Sequence, residues 1–159
     1  MSRPIQIAVI GAGCDGDAEL LAQAEEVGRR LAEAGAVIVC GGLGGVMEAA
    51  SRGARQAGGT AIGIVPTTDP ADANDQVSHA VATGVGEARN LAVVASGVVV
   101  IAIGGEWGTL AEIGFARKLG RPVVALRSWP LRSRGGEELG IVEAESPAEA
   151  VEAALAATR

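Results

Sequence analysis

Short apolar runs alternate with longer stretches of helical periodicity almost from end to end, and three of the runs stop in clusters of glycine. Val98 to Ile103 stops at Gly104-Gly105, passes through Glu106-Trp107-Gly108, and meets Thr109, where a helical pattern opens. A strand, a glycine turn and a helix start in that order present free backbone N–H groups to an anion. Ala36 to Cys40 repeats the arrangement, running into Gly41-Gly42-Leu43-Gly44-Gly45 before a helix from Val46. Ile5 to Ile10 does so a third time, ahead of Gly11-Ala12-Gly13-Cys14-Asp15-Gly16.

Periodicity extends the pattern to the whole chain. Further strands are expected from Thr60 to Val65, Val77 to Ala82, Pro122 to Leu126 and near Ile141. Helices are expected from Asp17 to Ala34, where Leu20, Leu21, Ala24, Val27 and Leu31 form a stripe, and from Val46 to Ala57, Glu87 to Ala95, Thr109 to Leu119 and Pro147 to Ala157. Pro66 to Gln76 and Trp129 to Gly136 read as loops. Alternating strands and helices specify an α/β fold: a single doubly wound, Rossmann-like domain over residues 1–159 with a mostly parallel sheet. Ligands of such sheets bind beyond the carboxyl ends of the strands, where the strand order reverses, and all three glycine turns fall at such ends.

Composition narrows the partners. Hydrophobic residues make up 48% of the 159, yet Trp107, Trp129 and Phe115 are the only aromatics, so the core is aliphatic, as strands buried on both faces require. A formal charge of −6 argues against nucleic acid, whose phosphates demand a basic surface. It leaves room for a small phosphorylated ligand held by local dipoles and one or two arginines. Met1-Ser2-Arg3-Pro4 leads straight into a strand without a signal peptide, and no apolar run approaches the roughly 20 residues of a membrane span. The expectation is a cytoplasmic protein that contacts no membrane. Two cysteines make no disulfide framework.

The turns differ in what they imply. Gly11-x-Gly13-x-x-Gly16 matches a dinucleotide fingerprint, but the second strand ends in Cys40-Gly41-Gly42 rather than in an acid for the ribose, and Asp15 puts a negative charge inside the loop. Close packing of helix on sheet accounts for Gly11 and Gly13. Gly41, Gly42, Gly44 and Gly45 together suggest a ligand-facing loop. Thr109-x-x-Glu112 reads either as a capping box or as a phosphate contact beside a carboxyl aimed at the ligand. Arg89 opens a helix, where its charge opposes the macrodipole; it either pairs with Glu87 or Asp75 or serves an anion. Glu48, in a first helical turn, is equally open between a structural and a ligand role. Cys14 and Cys40 read as small buried thiols, His79 as a structural residue of a strand, and no metal site is expected. Trp107 is placed either to stack on a planar ligand or to enter a subunit interface. Arg127, Arg132 and Arg134 read as a solvated loop, with one able to reach a neighbouring subunit's ligand.

Gly41-Gly42-x-x-Gly45-Val46-Met47-Glu48-Ala49-Ala50, then Glu87-Ala88-Arg89-Asn90, then Gly104-Gly105-x-x-Gly108-Thr109-Leu110-x-Glu112-Ile113 resemble a Rossmann-like superfamily. It contains the molybdenum-cofactor carrier proteins and the Lonely Guy phosphoribohydrolases, often labelled lysine decarboxylases. The resemblance spans roughly residues 5 to 126 and implies a homo-oligomer, dimer or tetramer, binding a phosphorylated ligand. In the hydrolase branch, which cleaves nucleoside 5′-monophosphates to free base and ribose 5-phosphate, the catalytic pair would be Arg89 and Glu112. The chain departs from that branch at Ile103, where it has proline, at the two-residue spacer Glu106-Trp107, at Asn90, where it has lysine, and at Glu48. The spacer and the Val46-Met47-Glu48 run resemble the carrier branch. That implies a protein that needs no cofactor of its own, holds a nucleotide or a molybdopterin-type cofactor as cargo, and does not turn it over. The ligand-binding set is then Gly11, Gly13, Gly41, Gly42, Gly44, Gly45, Met47, Glu48, Arg89, Asn90, Gly104, Gly105, Trp107, Gly108, Thr109 and Glu112.

Overall fold

The computed structural model describes residues 2–14 and 17–159; Asp15 and Gly16 of the first glycine turn lie outside the described residues. The chain runs β1 (Gln6–Gly11), α1 (Ala18–Glu33), β2 (Val37–Cys40), α2 (Val46–Gln56), β3 (Ala61–Val65), β4 (His79–Ala82), α3 (Arg89–Ser96), β5 (Val99–Ile103), α4 (Trp107–Lys118), β6 (Val123–Leu126), β7 (Ile141–Ala144) and α5 (Pro147–Ala156). Single 3-10 turns at Pro70–Asp72 and Gly86–Ala88 precede β4 and α3.

The seven strands form one parallel sheet in the order β4-β3-β2-β1-β5-β6-β7. From β1 the chain winds outward to β4, returns to the centre with β5, and winds outward the other way to β7. The order therefore reverses between β1 and β5, which pair from Ile7↔Val99 to Gly11↔Ile103. A crevice opens beyond the carboxyl ends of those two strands, as it does in doubly wound sheets generally.

Alternation of side chains along each strand divides the core in two. Ile7, Val9, Ile38, Cys40, Ile101 and Ile103 face α1, α2 and α5. Ala8, Ile10, Val39, Val100 and Ala102 face the thinner layer of α3 and α4. Burial on both faces is why the strands read as unbroken apolar runs. α1 buries Leu20, Ala24, Val27 and Leu31, one stripe of the helix, with Leu21 packed at its edge. It crosses α2 at backbone contact distance: a Cβ on Gly28 would stand 1.9 Å from the Ala50 carbonyl oxygen, and one on Gly53 1.9 Å from that of Glu25.

Three expectations need correction. α4 begins at Trp107, two residues before Thr109, so Thr109 lies inside the first turn and is not its cap. The strand expected from Val77 begins at His79; it is the edge strand β4, and His79 on it is exposed. Cys14 is exposed, so of the two thiols only Cys40 is buried.

Candidate functional site

A cleft of about 150 Å³ occupies the crevice between β1 and β5. Its walls come from the first glycine turn (Gly11, Ala12, Gly13), from Leu43 and Met47 at the start of α2, from Glu87, Arg89 and Asn90 at the start of α3, and from Glu106, Gly108, Thr109 and Glu112 at the start of α4. Three helices thus aim their amino ends at one hollow.

Those three helices share a feature that the others lack. α1 is capped by Asp17, whose carboxylate accepts from the Leu20 N–H at 2.7 Å, and α5 by Ser146, which accepts from the Glu149 N–H at 3.2 Å. The residues preceding α2, α3 and α4 (Gly45, Ala88 and Glu106) make no side-chain cap. An uncapped helix start leaves N–H donors and the positive end of the macrodipole facing whatever lies before it. Here that is the cleft, with the Val46 N–H already given to the Ala12 carbonyl at 3.1 Å and the Arg89 N–H to the carbonyls of Gly86 and Glu87.

Arg89, the first residue of α3, is 7% exposed. Its Nη1 donates to the Asn90 side-chain oxygen, and its buried Nε has no hydrogen-bond partner. Among the described residues it pairs with neither Glu87 nor Asp75, the partners considered from the sequence. The guanidinium fits because residue 41 is glycine: a Cβ there would meet Met47 Sδ at 2.8 Å and Arg89 Nη2 at 3.2 Å. A buried cation at the positive end of a helix is doubly unfavourable unless an anion joins it.

Glu112, one turn into α4, is also 7% exposed. Burial pushes its carboxyl up to about 7, against a partial pull downward from the Arg89 charge. It does not reach back to cap α4, so the capping-box reading of Thr109-x-x-Glu112 fails on geometry. Burial also raises the Cys40 thiol, against a hydrogen bond with the Gly42 backbone and another with Ser51, whose Oγ lies 3.6 Å away. At the mouth, the Cys14 thiol donates to Glu106 Oε1 at 2.6 Å, and the Glu106 carbonyl accepts from Trp129 Nε1 at 3.1 Å.

Of the residues expected from the sequence, Gly11, Gly13, Met47, Arg89, Asn90, Gly108, Thr109 and Glu112 line the cleft. Gly41, Gly42, Gly44, Gly45, Glu48, Gly104, Gly105 and Trp107 do not. In the second glycine loop Leu43 lines the cleft and Gly41 makes room for Arg89, while the other glycines pack against their surroundings. Gly45 has φ +62°, and a Cβ on it would stand 2.3 Å from the Ala12 carbonyl oxygen, where the first two glycine turns stack. Glu48 pairs with Arg52 at 3.5 Å. Trp107 is 75% exposed and lies against Trp129, ring centroids 5.1 Å apart. Ala12, Leu43, Glu87 and Glu106 line the cleft although nothing singled them out beyond their places within or beside the motifs. Asn74 is the other omission: its N–H donates to the Gly42 carbonyl and its side-chain amide to that of Leu43, both at 2.8 Å, which holds the second loop in place.

Sheet order and cleft define a Rossmann-like protein whose switch-point crevice is lined by helix amino ends and a buried arginine. The chain belongs to the SLOG cluster4 family, whose model matches residues 4–153. A protein of Archaeoglobus fulgidus is 43% identical over 123 residues, which span 77% of this chain and 80% of that one. The molybdenum cofactor binding protein of the phototrophic bacterium Rippkaea orientalis superposes over the whole of both chains, with a TM-score of 0.89 and 35% identity. The molybdenum cofactor carrier protein of Chlamydomonas reinhardtii is similar at a TM-score of 0.85 and 33% identity, over 98% of this chain and 99% of its own. The carrier side of the superfamily, which the sequence motifs resemble, is the side on which these structural neighbours stand.

Proposed function

We propose that this protein binds a small phosphorylated ligand of the molybdopterin type in the β1–β5 cleft and carries it without turning it over. The observation that supports this reading best is the convergence of three helix starts without side-chain caps on a hollow that also holds Arg89, a buried cation with an unpartnered Nε. A phosphate monoester supplies what such a hollow lacks: acceptor oxygens for backbone N–H groups and negative charge for the guanidinium. The solved relatives of R. orientalis and C. reinhardtii are molybdenum cofactor binding and carrier proteins, and this reading extends that cargo to the present chain.

Glu112 supports a second reading. A buried carboxyl beside a phosphate-binding arginine suits cleavage of a nucleoside 5′-monophosphate: water adds at the anomeric carbon while an acid with a value near 7 protonates the departing base. One experiment separates the two. The purified protein is titrated calorimetrically with molybdenum cofactor and with nucleoside 5′-monophosphates, and each mixture is chromatographed for free base. The carrier reading expects stoichiometric binding of the cofactor and its recovery unchanged. Release of free base that disappears in Glu112→Gln would make the protein a hydrolase. No binding of either probe would overturn both readings.

A further inference from the structure

The cleft joins one cation to three acids. Arg89 and Glu112 lie buried inside it, whereas Glu87 and Glu106 line it from exposed positions at its mouth. The positive side is small. It consists of one guanidinium and the amino ends of α2, α3 and α4, and the first N–H groups of α2 and α3 are already given to carbonyls of the chain. That is enough for one phosphate group. A second phosphate joined to the first would need donors of its own further out, and there it meets Glu87 and Glu106, whose carboxylates only accept.

Glu106 is fixed in this position. It directly precedes α4, where an acid commonly turns inward to meet the N–H groups of its own helix. Its side chain makes no such cap. Oε1 instead accepts from the Cys14 thiol of the first glycine turn at 2.6 Å, and the Glu106 carbonyl accepts from Trp129 Nε1 at 3.1 Å. The Trp129 ring is packed in turn against Trp107. Side chain and backbone are thus tied to two different segments, the turn after β1 and the loop after β6. Glu87 forms no ion pair among the described residues, so no cation offsets its charge. Charge held at the entrance of an anion site opposes a longer anion more than a short one. It therefore separates ligands that share the same anchoring group.

We infer that Glu106, assisted by Glu87, selects ligands that bring a single phosphate monoester and rejects those in which that phosphate is extended to a pyrophosphate. The inference rests on the reading of the cleft as a phosphate site and names the class of ligand that site takes.

Calorimetric titration of the full chain tests it with two probes. One is molybdenum cofactor, a phosphate monoester; the other is its guanine dinucleotide, in which a pyrophosphate joins the same pterin to a nucleoside. Wild type is expected to bind the monoester about tenfold more tightly or better. Glu106→Gln keeps the size of the side chain and removes its charge. It is expected to keep the wild-type circular dichroism spectrum and to narrow the ratio to about threefold or less, mainly through tighter binding of the dinucleotide. Equal binding of the two probes by wild type overturns the inference. So does a ratio that Glu106→Gln leaves unchanged, which assigns the selection to size. In both of those outcomes Arg89→Met still weakens binding, and the phosphate reading of the cleft stands. Binding of neither probe, or binding that Arg89→Met leaves intact, overturns that reading and the inference with it.

Discussion

On the proposed function, Arg89 is the residue at which stability and binding pull in opposite directions. Its guanidinium is buried at the positive end of α3 with one donor unmatched, so in the absence of an anion it costs the fold free energy. Arg89→Met fills the same space without the charge. The expected outcome is a melting temperature at or above wild type without ligand, together with an affinity for molybdenum cofactor lowered by about 100-fold, or about 3 kcal/mol. Calorimetry and thermal denaturation of the two proteins check it; a variant that melts lower and binds normally would make Arg89 structural. Arg127 is strained differently, as the only non-glycine residue among those described with positive φ, at +51°, and its ion pairs with Asp17 and Glu19 are exposed and worth little. Arg127→Gly is expected to raise stability by up to about 1 kcal/mol, measured by urea unfolding. Arg89 was legible in the sequence because a cation at a helix start breaks a local rule. The role of Thr109 was not. The pattern T-x-x-E says only where a cap can form, and here the helix already begins at Trp107, two residues earlier. The same kind of pattern at Ser146 to Glu149 does form a cap, with Glu149 also accepting from the Glu145 N–H at 2.8 Å.

At the level of elements, the glycines sort into those that hold helices and loops together and those that line the cleft, a division invisible in the one-letter code. Gly28 and Gly108 make the contrast testable. A methyl on Gly28 has nowhere to go, because α1 and α2 already touch there. Gly28→Ala is expected to cost about 3 kcal/mol of unfolding free energy, read by denaturant titration, with the ligand affinity of the folded fraction unchanged. A methyl on Gly108 meets nothing within 4 Å and projects at the start of α4, beside the cleft. Gly108→Ala is expected to melt no lower than wild type and to bind the cofactor more weakly. Equal stability of the two variants would sink the distinction. The alternation of apolar runs and helical stripes made every strand and α-helix legible to within two residues, including the edge strand β4, expected from Val77 and beginning at His79. Edge strands pack on one side only, so the apolar run that marks a central strand is diluted there. Which residues of the glycine turns line the cleft depends on stacking between the first and second turns, and no local pattern records a contact of that kind.

Over the whole molecule, the order of the strands converts local signals into a site, and the site in turn writes itself into the stability of the fold. Pairing of β1 with β5 brings the first glycine turn against α3 and α4, the helices before and after β5, so that Arg89 and Glu112 end up in one cleft with it. The Glu112 carboxyl ordinarily titrates at 4.5 and is pushed up to about 7 by its burial. Below 4.5 it is protonated whether the chain is folded or not, and contributes no difference. Between 4.5 and 7 the folded state holds a proton that the unfolded state releases, so stability falls as the pH rises through that window. Above 7 the penalty is complete, on the order of 3 kcal/mol. Glu112→Gln, which cannot ionise, is therefore expected to be more stable than wild type above pH 7, with the gap closing as the solution is acidified toward 4.5. Urea unfolding at a series of pH values measures it. A gap that stays flat through the window would mean that Glu112 ionises in the fold as freely as in water, and that the cleft is wetter than its burial indicates. A bound phosphate should widen the difference, because an anion beside Glu112 favours the protonated carboxyl, so ligand uptake near neutral pH is expected to draw a proton from solution.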